Sequence, residues 1–97
     1  MLSQSDSREI ATARLRELEA SADTALAIVE AHTIERPFVW VFFYNSREFV
    51  ETANPAAALA GNAPLIVDRR TRMVHETGTA YPIEHYIAAF ERNLGAP

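Results

Sequence analysis

The chain has 97 residues, a mass of 10.8 kDa, a formal net charge of -4 and no cysteine. Such a length fits one domain, residues 1–97, that buries roughly 60–70% of its unfolded surface around a single core, and the missing thiols exclude a disulfide framework and thiolate chemistry. The basic residues are all arginine, scattered except for Arg69, Arg70 and Arg72, and this acidic balance argues against a nucleic-acid partner, which needs a basic face.

The opening MLSQSDSREI has no apolar h-region, and no later run reaches the length of a membrane span, so the sequence reads as soluble and cytoplasmic with no membrane partner. From Ser7 to Ala22 the positions Ala11, Leu15, Leu18 and Ala22 follow one helical face, with Asp6 and Glu9 as a capping box. Thr24 to Pro37 places Leu26, Ile28 and Ile34 on one parity. A helix over Ala25 to Ala31 competes there, but the β-branched ending and Pro37 favour a strand. The next strand, Phe38 to Tyr44, follows so closely that the two must form an antiparallel hairpin.

Asn54, Pro55 and then Ala56 to Ala60 predict one or two helical turns inside a long connection, stopped at Gly61. Leu65 to Val67 and Met73 to Thr77 form a second hairpin around DRRTR. The last segment sets Ile83, Tyr86, Ile87, Phe90 and Leu94 on one helical stripe between Pro82 and Gly95. The predicted fold is α+β: an N-terminal helix, a four-stranded, largely antiparallel sheet with a short helical turn between its hairpins, and a C-terminal helix.

Two helices at ~10 Å each match the ~19 Å width of four strands, so the prediction places both on one sheet face. Unless the loop from Ser46 to Ala63 folds over it, the other face must then meet another chain. Val39, Val41 and Phe43 suit the covered side. Phe38, Trp40, Phe42 and Tyr44 include the amphipathic aromatics that interfaces enrich, and they are the candidate partner-binding face. Trp40 as an ordinary core residue is the competing reading.

His32, His75 and His85 form no metal-ligand spacing, no nucleophile elbow is present, and Glu84 and His85 point about 100° apart on a helix, so neither a metal nor a catalytic constellation is expected. His75 is the most interesting histidine, a strand residue placed to lie beside a neighbouring strand's aromatic, and it joins Phe38, Trp40, Phe42 and Tyr44 as a partner-binding candidate.

Taken in order, WVFFYNS, FVET, LAGNAPLIVDR and VHETGTAYPIEHYI resemble the immunity protein 35 family of bacterial polymorphic toxin systems, from about Pro37 to Phe90. The positions that match are Trp40, Phe43, Tyr44, Leu59, Gly61, Asn62, Pro64, Asp68, His75, Gly78, Thr79 and Pro82. The resemblance implies a non-catalytic α+β inhibitor, with no shared cofactor, whose partner is a cognate or neighbouring toxin. A homodimeric or chaperone-like module using the aromatic face is the alternative.

Most of the matching positions have structural readings, Pro64 among them. Gly61 and Gly78 would supply positive φ, Pro82 would start a helix, and Asn62 and Asp68 would bond turn amides. Arg72 stands where the family commonly has glycine, and a left-handed residue there would cost about 1 kcal/mol relative to glycine. The tip with Arg69, Arg70 and Arg72 is a secondary partner-binding candidate.

Overall fold

The computed structural model describes residues 1–59 and 63–95, so Gly61 and Asn62, and the side chain of Leu94, fall outside the described part. Helix α1 spans Gln4–Ala22. Its cap is Ser3, three residues ahead of the predicted Asp6: the Ser3 hydroxyl accepts from the Asp6 amide at 3.1 Å. Ala11 and Leu15 are buried and Leu18 half-buried, as the spacing requires. Ala22 is exposed instead, because the chain leaves the helix at once through Asp23 in left-handed backbone (φ 54).

The first hairpin is present but broken into two pairs. Strand β1 (Leu26–Ile28) runs antiparallel to β4 (Tyr44–Ser46), and β2 (Ile34–Glu35) antiparallel to β3 (Val39–Phe42). A 3-10 turn over Glu30–His32 interrupts one arm, so residues 29–33 face only residues 42–43 on the other. That turn lies at the end of the stretch where a helix competed with a strand. Val29 still donates to the Phe43 carbonyl at 2.8 Å, which keeps the arms together across the bulge.

The connection after Ser46 contains an element that periodicity misses. Helix α2 (Arg47–Thr52) starts directly at Ser46, whose hydroxyl accepts from the Phe49 amide. Asn54 then caps a 3-10 turn over Pro55–Ala57, accepting from the Ala56 amide at 3.1 Å. Strands β5 (Leu65–Asp68) and β6 (Val74–Glu76) form the second hairpin, and the four-stranded sheet runs β2-β3-β5-β6, antiparallel throughout. Helix α3 (Ile83–Gly95) follows Pro82, whose carbonyl accepts from His85.

The α+β order is as predicted, but the helices do not share a face. Leu15 and Ala11 of α1 join Leu2, Leu26, Ile28, Trp40, Phe42, Leu65 and Val67 in one buried cluster. Ile87 of α3, flanked by Ile83, Tyr86 and Phe90, packs on Val39, Val41 and Ile66 from the other side. Every residue of β3 and β5 is therefore buried. Apolar residues on both parities do demand cover on both faces; the chain supplies it by sending one helix to each.

The predicted open aromatic face is thus closed from within. Trp40 is 6% exposed and Phe42 1%, both beneath α1, so they are core residues and the partner-binding assignment is corrected. A homodimeric or chaperone-like use of the same face loses its surface for the same reason.

Candidate functional site

One end of the sheet gathers the predicted site residues that remain exposed. A tight turn, closed by the Arg36 amide donating to the Val39 carbonyl at 2.9 Å, brings Phe38 beside the end of β5, where the Arg69 amide donates to the Phe38 carbonyl at 2.9 Å. The β5–β6 turn is organised by Asp68: one carboxylate oxygen accepts from the Arg70 amide at 2.8 Å and from the Thr71 amide at 3.3 Å, the predicted turn role. Burial pushes the Asp68 carboxyl up. The two amides, the Thr71 side chain and the Arg70 charge outweigh burial and leave it below its ordinary value. Arg72 closes the turn in left-handed backbone (φ 69), donating its amide to the Asp68 carbonyl, so the conformation that glycine would favour is retained by an arginine.

Behind this end lies a rigid support. The Leu2 amide donates to the Arg69 carbonyl at 2.9 Å, and the Leu2 carbonyl accepts from the Trp40 indole at 3.3 Å and from Arg69 Nε at 3.1 Å. The Arg69 guanidinium lies 5.1 Å over the Trp40 ring, donates to the Arg36 carbonyl at 2.7 Å and pairs with Glu35 at 3.5 Å. Arg69 is thereby spent on internal bonds, which corrects its place among the exposed tip arginines. Arg36 is tied by an ion pair to Glu84 in the first turn of α3.

In front of the support stand the exposed groups. Phe38 is 40% exposed, with the Arg70 guanidinium 5.6 Å over its ring. Met73, 57% exposed, starts the chain into β6 at the same end. Arg72 is exposed and forms no ion pair among the described residues, while Arg70 reaches Asp68 only at 3.6 Å. Four arginines (Arg36, Arg69, Arg70 and Arg72) meet three carboxylates (Glu35, Asp68 and Glu84) here, in a chain whose net charge is -4. The sequence marked Phe38 and the arginines; it carried no sign that Met73 would be outside, or that Leu2 would lock the turn, which depends on where the N-terminal residues pack.

The other predicted site residues are dispersed. Tyr44 is half-buried against the α1 cluster, its phenol pushed up by burial and by Glu76, partly offset by Arg14. His75 lies on the opposite face and meets Phe90 of α3 at 4.9 Å, a helix partner rather than the predicted strand aromatic. At Pro64 the carbonyl accepts from the Thr77 hydroxyl at 2.9 Å, a bond that any residue there could accept. Gly78 is not in left-handed backbone. A Cβ there would come within 2.6 Å of the Tyr86 hydroxyl, so glycine gives that ring room instead.

His85 stacks on Tyr81 at 4.3 Å, and His32 meets Phe43 edge-on at 6.1 Å. Among the described residues no three His, Asp or Glu side chains converge as a metal site, and no helix is long and apolar enough to cross a membrane. A groove of about 350 Å³ runs between α1 and α2. Its floor, Leu15, Leu26 and Ile28, is already buried; of its three lining arginines, Arg8 and Arg16 are paired with Glu30 and Glu19, and Arg47 forms no ion pair among the described residues.

Immunity protein 35 is the family that matches this chain, over residues 5–89, from the first turn of α1 through most of α3. An uncharacterised protein, YrhB of Escherichia coli (strain K12), is 48% identical over 52 residues, covering 54% of this chain and 55% of that protein. The match therefore spans about half the length of that curated relative. No solved structure matches. With nearly all of α1, the whole sheet and the part of α3 up to residue 89 inside the matched span, the chain belongs to the immunity protein 35 family.

Proposed function

We propose that this protein is a non-catalytic, cytoplasmic immunity protein that neutralises a cognate or neighbouring toxin of a polymorphic toxin system by binding it, and that its single domain suffices. The observation that carries the reading is the family match over residues 5–89. Glu19 and Asp68, the carboxyls held below their ordinary values, each accept backbone amides and so serve the fold.

Binding and catalysis differ in stoichiometry, and that difference is the test. Toxin encoded by the adjacent gene is titrated with purified protein while its toxic activity is followed. Neutralisation by occupation saturates near one molecule per toxin, through an interface of about 800 Å² on this side. Full protection at a small fraction of that ratio would show turnover and overturn the binding reading, and no protection at any ratio would overturn the immunity role against that toxin.

A further inference from the structure

We infer that the sheet end built by Phe38, Arg70, Arg72 and Met73 is the surface that docks the toxin, and that the toxin presents carboxylates around an apolar contact there; this rests on the neutralising reading. The end combines what a binding centre needs. Phe38 and Met73 offer apolar area that the fold leaves outside. Arg70, lying over the Phe38 ring, is a planar, weakly hydrated cation already placed to meet a carboxylate. Arg72 adds a charge with no ion-pair partner among the described residues.

Charge complementarity says where an acidic partner would sit. A chain of net charge -4 repels an acidic surface over most of its area, and Asp6, Glu9, Asp23, Glu48, Glu51 and Glu91 form no ion pair among the described residues to soften that repulsion. An acidic partner approaching this molecule is therefore steered to the arginine end. The support behind that end, Trp40, Arg69 and Leu2 in mutual contact, holds Phe38 and the turn without a loop that must be ordered on binding.

Isothermal titration against the toxin encoded by the adjacent gene tests the assignment, at low and at physiological salt. Wild-type affinity should fall as salt rises. Arg70→Glu with Arg72→Glu, and separately Phe38→Ala, should each weaken binding by at least about tenfold. Arg92→Glu, on α3, should leave affinity within about twofold, as distant surface charges do.

Arg72→Gly separates the interface from folding, because it relieves the left-handed backbone while removing a charge: the melting temperature should rise as affinity falls. Wild-type binding that persists undiminished in the double arginine and Phe38 variants overturns the docking surface and leaves neutralisation standing. Wild-type protein that does not bind this toxin overturns both.

Discussion

Trp40 shows how one residue can be read correctly in chemistry and wrongly in place. Its indole N–H does find a polar partner, as an amphipathic aromatic requires, but that partner is the Leu2 carbonyl of its own chain. Sequence parity says which residues share a face with Trp40, not what covers it. Truncating it to alanine would cost about 3–5 kcal/mol of folding stability, so a loss of protection by that variant would report unfolding rather than a lost contact. Ser7 presents the opposite case. It is fully buried in α1 and its hydroxyl has no hydrogen-bond partner among the described residues, while its amide is already used in the helix. Ser7→Ala removes a desolvated hydroxyl and adds helix propensity, so it should stabilise the protein by about 1 kcal/mol, read as a higher urea midpoint at constant slope. A lower midpoint would mean that the hydroxyl has a partner, such as a bound water.

At the scale of elements, the legible parts were those with strong local signals. The α3 stripe, the Asn54-Pro55 cap and the Asp68 turn all appear where their residues place them. Six-residue α2 escaped because it is too short for periodicity, although Ser46 carries a cap signal. The 3-10 turn at Glu30–His32 escaped because a bulge is decided by the partner strand's length. The junction of α1 and β1 was also invisible, because it depends on a contact across seven residues. There the Glu19 carboxylate accepts from the Leu26 amide at 2.6 Å. That bond, and then Arg16, hold the Glu19 carboxyl below its ordinary value of 4.5. A depressed folded value means that the charged form stabilises the fold above the unfolded value, and that this contribution is lost as pH falls through the folded one. Melting temperatures of wild type and Glu19→Gln should therefore differ most at neutral pH and converge as pH drops below about 4.5. A gap that stays constant down to acid would mean that the carboxylate charge is not what anchors β1.

For the whole molecule, the consequential feature is that two helices are held apart by one shared layer. Trp40 and Phe42 belong to the α1 side and Val39 and Val41 to the α3 side, yet all four lie on β3; Leu65 and Val67 oppose Ile66 in the same way on β5. Neither face can lose its cover without exposing strands that the other face needs, so the two clusters should unfold together. Ile87 tests this, since it is buried only in the α3 cluster while Trp40 reports the α1 cluster. Ile87→Ala should cost about 2–5 kcal/mol, the usual range for emptying a buried aliphatic site. In a urea titration, Trp40 fluorescence and far-UV circular dichroism should shift to the same lower midpoint with an unchanged slope. If the fluorescence midpoint instead stayed at the wild-type value while the dichroism fell earlier, α3 would be a separately melting unit and the cover on its face would be conditional. The coupling matters for the proposed docking end as well. Arg36 ties that end to α3 through Glu84, and Leu2 and Trp40 tie it to the α1 cluster, so its geometry is held from both sides of the sheet. Because the two faces unfold together, Ile87→Ala, which lies in the core and cannot touch the partner, should weaken toxin binding only as far as it lowers the folded fraction.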